Sequence, residues 1–373
     1  MLAIHKNRVR GSTHWHETPE LRDADLCLVC CARAQAAPAL VETVRAAYPD
    51  AHIIGTTTAG QIAGSRPLDD EAVLTVVRLE HGRVRLARAS TAGADFARAG
   101  ATLSEALAGP DLRLVFMLCE GLRMNGSELV RGLADNLPPS VVIGGCLSAD
   151  GTRFEHTAIL DGAAWVTDTA VAVGLYGEAL EVGQGSLGGW HPFGPDRLVT
   201  RSEGNTVYSF DDEPALDLYI RYLGKYASGL PASALRFPLS VHDKDSAGLV
   251  RTALSIDEET RSVTYAGDVT QGCYARLMRA NLDRLVDGAQ GAAEQARLAE
   301  PPGAVLALLV SCVGRRTVLG PRTEEELEVV VESLGSEATV AGFYSYGEFG
   351  RSRGDPDTRL TNQTMTIVTV AER

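Results

Sequence analysis

Residues Ala341–Gly350 read AGFYSYGEFG, and this stretch decides how the rest of the chain is interpreted. An apolar run stops at Gly342, and phenol, hydroxyl and carboxylate groups follow it at Tyr344, Ser345, Tyr346 and Glu348, with Gly347 between them. A strand that ends in glycine and then presents these groups is typical of the mouth of a binding site. A plain strand end with a tight turn has the same local pattern, so the repetition of the motif matters.

The motif occurs three times. In each copy a glycine follows an apolar strand, and a hydroxyl follows the glycine by three residues, at Gly55 and Thr58, Gly145 and Ser148, and Gly342 and Ser345. Each copy closes a predicted strand–helix–strand unit, and such crossovers make sheets with parallel pairs. Ligands of such sheets bind beyond the carboxyl ends of the strands. We therefore expect the three tips at the same functional edge.

The pattern predicts an α/β protein in two parts, with mixed sheets built from three strand–helix–strand units plus antiparallel strands. A length of 373 residues and a hydrophobic fraction of 45% suffice for two domains with a substantial core. The expected division is an irregular N-terminal arm at residues 1–24, a first α/β domain at 25–210 and a second α/β domain at 211–373.

Apolar periodicity gives the elements of the three units. The predicted order is strand Leu26–Ala32, helix Ala37–Tyr48 and a strand from His52; strand Leu114–Cys119, helix Asn125–Asn136 and strand Val141–Ile143; strand Val305–Cys312, a helix from Thr323 and strand Thr339–Ala341. Thr323 and Glu326 match a capping box. Between the second and third units we predict an irregular glycine-rich segment at Gly183–Pro195, a helix at Pro214–Leu223 and a long helix at Tyr274–Gln295.

Charge and composition exclude several classes of protein. The net charge is −13 and there is no basic stripe, so nucleic-acid binding is not expected. The most apolar run, 304–313, is far shorter than the ~20 residues of a membrane span, and the N-terminus has no signal-peptide core. Seven cysteines, mostly in apolar runs, indicate free thiols in a reducing cytoplasm.

A metal site is not expected. Cys27 and Cys30 form a C-x-x-C pattern, but they lie in a predicted strand, where residues three apart point to opposite faces. The sequence has no second C-x-x-C and no H-E-x-x-H.

The tips and the strand ends beside them supply the predicted ligand-binding groups. They are Thr58, Gly60, Glu120, Ser148, Asp150, Cys312, Arg315, Tyr344, Ser345, Tyr346, Gly347 and Glu348. Hydroxyls and backbone amides would orient a small polar ligand, while arginine and the acids would pair with its charges. The set suits an amino-acid-like molecule.

Catalysis is not predicted, although a hydrolase remains an alternative. The spacing from Gly342 to Ser345 is one residue longer than in the nucleophile elbow, and no histidine follows Ser345 in the chain. The strand around Cys312 indicates a plain buried thiol. If haem is bound, His191, which lies between Trp190 and Phe193, and His156 are the candidate axial ligands.

Several separate motifs resemble the FIST domain, a bacterial sensory module in two parts. They are residues 188–224, SCVGRR at 311–316, AGFYSYGEFG at 341–350 and LTNQTMTIV at 360–368. The resemblance runs from Asp25 to the C-terminus. It implies a non-enzymatic sensor of a small ligand such as an amino acid, which signals through attached or separately encoded output domains.

Two further segments, YARLMRANLDRLVDGA at 274–289 and GRRTVLG at 314–320, are similar to the nitric-oxide-sensing haem proteins called NosP. That similarity implies haem as a possible cofactor and nitric oxide as the signal. It also implies a partner histidine kinase or cyclic-di-GMP enzyme (a diguanylate cyclase or phosphodiesterase). We expect no output domain after residue 373 and therefore expect the signal to pass to a separate protein; a homodimer is left open.

Overall fold

A computed structural model of the chain describes residues 2–8, 23–243, 248–299, 301, 303–352, 355 and 357–373. The strands of its first half are β1 (Leu2–Arg8), β2 (Leu26–Cys31), β3 (His52–Thr57), β4 (Gln61–Ala63), β5 (Arg66–Leu68), β6 (Ala72–Arg78), β7 (Arg83–Ser90), β8 (Leu112–Cys119), β9 (Val142–Leu147), β10 (Ile159–Leu160), β11 (Trp165–Val166) and β12 (Thr169–Tyr176).

The strands of the second half are β13 (Leu180–Leu187), β14 (His191–Pro192), β15 (Arg197–Glu203), β16 (Thr206–Phe210), β17 (Glu213–Pro214), β18 (Leu239–His242), β19 (Leu249–Arg251), β20 (Ala253–Asp257), β21 (Ser262–Tyr265), β22 (Tyr274–Arg279), β23 (Val305–Cys312), β24 (Ala338–Ser345), β25 (Gly347–Gly350), β26 (Arg359–Thr361) and β27 (Met365–Glu372). The α-helices are α1 (Pro38–Ala47), α2 (Phe96–Leu107), α3 (Gly126–Ala134), α4 (Ala215–Leu223), α5 (Leu282–Ala296), α6 (Val313–Leu319) and α7 (Thr323–Leu334).

Three six-stranded sheets share one topology. At the centre of each lies the parallel strand pair of one predicted unit: β2 with β3, β8 with β9, and β23 with β24. An antiparallel strand, β6, β12 or β27, pairs with the first strand of the unit, and β1, β7 or β13 extends the sheet beyond it. The predicted mixed α/β fold with three strand–helix–strand units is therefore confirmed.

The units exchange strands in a cycle. The short hairpin that follows each unit leaves its own sheet and pairs with the second strand of another unit: β4 with β24, β25 with β9, and β10 with β3. Each sheet is thus completed by a neighbour. Leu28, Phe116 and Leu308, one from each sheet, meet in a shared apolar cluster at the centre. The three units consequently depend on one another for both backbone pairing and core.

The glycines of the three tips lie inside strands, so the expectation that they end the strands is wrong. β3, β9 and β24 continue for two or three residues beyond Gly55, Gly145 and Gly342. A Cβ at these positions would lie 2.4, 1.8 and 2.1 Å, respectively, from a carbonyl oxygen of the paired parallel strand. Glycine is required because the strand pair approaches too closely for a side chain.

A fourth, nine-stranded antiparallel sheet, β14–β22, lies in the chain between β13 and α5. We call it the inserted sheet. It has its own apolar core, which includes Phe210, Tyr219 and Tyr265. The predicted boundary at residues 210 and 211 falls within it, between β16 and α4. The two sequence parts therefore interlock rather than meet end to end.

The glycine-rich segment Gly183–Pro195 is not irregular throughout, because its first residues belong to β13. A Cβ on Gly183 or Gly185 would lie 2.1 or 2.0 Å from the carbonyl oxygens of Ala296 or Ala292 in α5. The glycines thus allow a helix to pack directly on the strand. Clustered glycines predict a loop, but here the glycines are required because α5 packs closely on β13.

The long helix predicted at Tyr274–Gln295 is also wrong at its start. Tyr274–Arg279 forms β22, which pairs with β18 and β15. The helix begins only after Asn281, whose side chain accepts a hydrogen bond from the Arg284 amide as an N-cap. Pairing inside the inserted sheet overrides the helical apolar spacing.

The N-terminal arm expected at residues 1–24 is wrong for Leu2–Arg8, which forms β1 and pairs antiparallel with β6. The polar composition of the segment gave no sign of this tertiary pairing. The rest of the predicted arm, with His14 and His16, lies outside the described residues apart from its last two positions. In the described part of the chain, no helix has the length and apolar character needed to cross a membrane.

Replacing Gly342 with alanine should lower the free energy of unfolding by about 2–4 kcal/mol, because the new Cβ would overlap the Leu309 carbonyl. Denaturation in urea measures the change. Gly93→Ala is the control: no atom lies within 4 Å of its added Cβ, so a change of about 0.5 kcal/mol or less is expected. Equal effects of the two substitutions would contradict the close-approach argument.

Candidate functional site

The three tips meet in a closed ring of backbone hydrogen bonds. In each unit, the residue after the hydroxyl donates its amide to the carbonyl of the residue before the hydroxyl in another unit. The bonds are Ala59 N to Tyr344 O at 2.8 Å, Tyr346 N to Leu147 O at 3.1 Å, and Ala149 N to Thr57 O at 2.9 Å. We call residues 57–59, 147–149 and 344–346 the tip ring. The structure thus brings the three predicted tips together.

The hydroxyls of the tip ring point back into their own units. Thr58, Ser148 and Ser345 each donate to the carbonyl at equivalent positions of the first strand, on Cys31, Cys119 and Ser311, at 3.3, 2.9 and 3.5 Å. Ser148 also accepts a hydrogen bond from Thr56 at 2.8 Å, which joins two units. These hydroxyls therefore tie the strand ends together.

Every residue of the predicted ligand-binding set is buried. Thr58, Gly60, Glu120, Ser148, Asp150, Cys312, Arg315, Tyr344, Ser345, Tyr346, Gly347 and Glu348 are all in the buried class, and none of the non-glycine members is more than 4% exposed. AGFYSYGEFG is accordingly not an open mouth in this structure. That these residues bind a ligand stays a prediction, and direct contact would require the tips to separate.

Two of the predicted acids hold loops beside the ring. Glu120 accepts hydrogen bonds from the amides of Leu122 and Arg123, at 3.0 and 2.7 Å. Asp150 accepts the amides of residues 154, 155 and 156 at 2.9–3.1 Å, and the phenol of Tyr346 from another unit. Both carboxylates are thus occupied by the protein's own donors.

Glu348 differs from these acids because burial dominates its chemistry. Its carboxyl oxygens lie 2.9 Å from Ser345 Oγ and 2.8 Å from Thr364 Oγ1. Burial raises the pKa of Glu348 to about 8, against 4.5 for the ordinary side chain, even though these hydrogen bonds and Arg315 act to lower it. At neutral pH the carboxyl is therefore mainly protonated and can itself donate a hydrogen bond.

Arg315 and Glu326 form a fully buried ion pair, so the predicted capping box is wrong. Arg315 Nε donates to Glu326 Oε1 at 2.8 Å, and Nη2 donates to the Leu285 carbonyl at 2.6 Å. Thr323 instead donates to the Gly320 carbonyl at 2.7 Å. A buried guanidinium needs a counter-charge, and this requirement outweighs capping of a helix end.

The thiol and the two histidines show no catalytic or cofactor geometry. Cys312 is fully buried, and burial raises the pKa of its thiol, so it is protonated and a poor nucleophile. His156 is exposed, and His191 is half-buried in β14. Within the described ranges no three His, Cys, Asp or Glu side chains gather as metal ligands would.

An open cleft of about 850 Å³ lies beside β26 and the chain that leads to it. Its walls are α3 with the chain that follows it, β18 and β19 of the inserted sheet, and the described residues of the loop that joins β25 to β26. We call this space the cleft, and β25–β26 the third hairpin. The third hairpin starts in AGFYSYGEFG and pairs with β9, so one wall of the cleft continues directly into the tip ring.

Sequence reasoning missed the polar residues of the cleft. Arg131, Arg251, Asp268, Arg351 and Arg359 come from three distant segments, and no local motif connects them. The one available signal was Arg251, a charged residue at the end of a short apolar strand. A cation in that position requires an explanation for its burial.

Comparisons with known proteins cover most of the chain. The family model described as the FIST N domain matches residues 25–213, and the FIST C domain matches residues 215–351. An uncharacterized protein of Methanocaldococcus jannaschii is 24% identical over 235 residues, which are 56% of this chain and 44% of that protein. The chain thus spans less than half the length of this curated relative.

Solved structures give weaker likenesses. A cyanuric acid hydrolase from A. caulinodans is 10% identical with a TM-score of 0.37, covering 100% of this chain and 99% of that chain. A second cyanuric acid hydrolase structure has 10% identity and a TM-score of 0.33, with the same coverage. Similarity at this level supports no argument about function.

Loss of the carboxylate of Glu326 should destabilise the fold by about 3–5 kcal/mol, because Arg315 would remain buried without its partner. Chemical denaturation of Glu326→Ala measures this. The neighbouring Glu325→Ala is the matched control, since Glu325 is 50% exposed and pairs with Arg322 at the surface. Its removal should cost less than about 1 kcal/mol. Similar losses from both substitutions would show that the buried pair is not special.

The stability of the protein should depend on pH through Glu348. Its pKa is raised from 4.5 to about 8 in the folded chain, so the folded state holds the proton more tightly, and stability falls as pH rises through that window. Glu348→Gln mimics the protonated form and removes this loss. The stability of Glu348→Gln relative to the natural chain should therefore increase as the pH rises from 5 to 8.5.

Urea denaturation at several pH values checks the prediction. Glu325→Gln, at an exposed carboxylate, should show no such trend relative to the natural chain. A stability difference between Glu348→Gln and the natural chain that stays constant with pH would contradict the raised pKa.

Proposed function

This chain belongs to the FIST family of sensory, ligand-binding signalling domains, and from that membership we propose that it senses a small ligand in the cleft and passes the signal to a separately encoded protein. The observation that carries the proposal is the cleft itself. Its volume of about 850 Å³ is within the range of small-molecule sites, and its walls come from both sequence parts. A ligand there would touch both parts at once.

The third hairpin offers a physical route for the signal. Its loop lines the cleft, while Gly347 and Glu348 at its base adjoin the tip ring. On the other wall, Arg251 Nη1 of β19 donates to the Leu360 carbonyl of the hairpin at 2.9 Å. A ligand that moved the hairpin would therefore strain contacts in all three units. We propose that this changes the surface read by a histidine kinase or a cyclic-di-GMP enzyme.

We propose that the chain has no catalytic activity. Ser345 is buried, and its hydroxyl is engaged with Glu348. Ser345 lacks the exposure and the base that a hydrolytic nucleophile needs. The hydrolase alternative consequently has no observation in its favour.

The haem alternative is likewise without geometric support. A haem needs a flat apolar pocket that presents an axial ligand. The cleft has arginines and aspartates in its walls. Its described lining includes His242 but neither His191 nor His156. The residues of the cleft therefore suit a polar ligand rather than a porphyrin.

A small polar compound that raises the melting temperature should slow hydrogen exchange in the two walls of the cleft. Protection is expected in the peptides that contain β18, β19 and residues 357–360, because described residues of these segments border the cleft. Peptides from β7 are the internal control, since β7 lies at the opposite edge of the sheet that contains the third hairpin.

Screening the twenty amino acids and other small metabolites by thermal shift supplies the compound, and exchange is read by mass spectrometry. Failure of every compound to bind, or protection confined to regions away from the cleft, would overturn the proposed site.

A further inference from the structure

Arg251 is the most unusual residue of the cleft. It is 4% exposed, yet it lines the cavity. Nε donates to the Asp268 carbonyl and Nη1 to the Leu360 carbonyl, both at 2.9 Å. In the described part of the chain, Nη2 makes no hydrogen bond and no carboxylate lies within ion-pair distance of the guanidinium. Burial lowers the pKa of Arg251 to about 10, although the nearby Asp268 carboxylate acts to raise it, so the side chain is still charged at neutral pH.

Two of the other three arginines of the cleft pair with carboxylates. Arg359 pairs with Asp355 and Asp357, at 2.9 and 3.2 Å. Arg351 donates to Thr358 and to the carbonyls of residues 139 and 141. The guanidinium of Arg131 lies 3.9 Å from the Asp268 carboxylate. Among the described residues, Arg251 and Arg351 are therefore the arginines of the cleft without a carboxylate within ion-pair distance, and Arg251 is the more buried of the two.

The charges of the lining restrict the anion. Among the lining residues that the structure describes there are four arginines and five aspartates: Arg131, Arg251, Arg351 and Arg359 with Asp135, Asp243, Asp268, Asp355 and Asp357. This described lining disfavours a dianion such as phosphate more than a monoanion, because its acids outnumber its arginines. A singly charged carboxylate needs only one free guanidinium, and the aspartates accept the polar or cationic remainder of the ligand.

We propose that the cleft binds a small monocarboxylate and that Arg251 holds its carboxylate group. The proposal rests on the proposed function, because it names the ligand class and the anchoring residue of the same cleft. Arg251 also contacts the third hairpin through Leu360. Arg251 would then both anchor the ligand and join the two walls of the cleft.

The experiment measures affinity at constant ionic strength. Acetate, the twenty amino acids, succinate and inorganic phosphate are tested singly by thermal shift, and compounds that stabilise the chain are titrated by calorimetry. A monocarboxylate should bind the natural chain. Arg251→Gln should weaken that binding by about 10- to 100-fold, since a charge-assisted hydrogen bond is lost. Arg251→Lys keeps the charge but loses the planar guanidinium, so its affinity should lie between those of the natural chain and of Arg251→Gln.

Arg276→Gln is the matched control. Arg276 lies on β22 of the same inserted sheet, is not among the residues of the cleft and pairs with Asp196 at 2.7 Å. Its substitution should leave the affinity unchanged. Circular dichroism confirms that each variant is folded. If both Arg251 variants unfold, a crystal structure of the natural chain with the bound carboxylate decides, and an oxygen is expected within about 3.2 Å of Arg251 Nη2.

The outcomes separate this inference from the proposed function. Monocarboxylate binding that is unchanged in Arg251→Gln, or a carboxylate seated away from Arg251, overturns the inference and leaves a sensor with another anchor. Binding of phosphate in preference to monocarboxylates overturns the ligand class. Failure of every compound to bind the natural chain counts against the proposed function, and the inference falls with it.

Discussion

Three backbone hydrogen bonds, each from a tip of one unit to a tip of another, are the constraint on which this fold depends. They close only because each second strand lies tightly against its parallel partner, and that approach requires Gly55, Gly145 and Gly342. The exchange of short hairpins among the three sheets follows from the same geometry, since a chain leaving the ring is directed onto a neighbouring sheet. The buried hydroxyls and acids around the ring then satisfy backbone groups that no water reaches.

The periodicity of the sequence was sufficient to predict the three units, because strand and helix periods are local properties. It could not predict the exchange of hairpins, since β4, β10 and β25 gain their partners from another unit. Thr323 and Glu326 show a second limit of local patterns. Their spacing matches a capping box, but Glu326 instead pairs with the buried Arg315, eleven residues earlier in the chain. The need of a buried arginine for a counter-charge arises from tertiary structure and leaves no pattern in the local sequence.

The candidate site, like the fold, was predicted only in part. AGFYSYGEFG was recognised from its residue types, and the tips it predicted do meet. The residue types could not reveal burial, because hydroxyls and acids that hold a strand junction look like those that hold a ligand. The cleft was missed because its described walls come from three segments, which become neighbours only when the inserted sheet folds against the third hairpin. These segments lie within residues 127–143, within 241–243 and 248–273, and within 351–352, 355 and 357–360.

Two buried arginines show how the protein treats charge. Arg315 is fully enclosed, and the fold supplies Glu326 as its counter-ion. Arg251 is nearly as buried, but its described hydrogen-bond partners are carbonyl oxygens alone. An uncompensated cation is costly inside a protein, and the cost is smallest where solvent or an anion can approach. Arg251 borders the cleft, whereas Arg315 is not among the described residues of its lining. The difference in partners therefore follows the difference in access to the cleft.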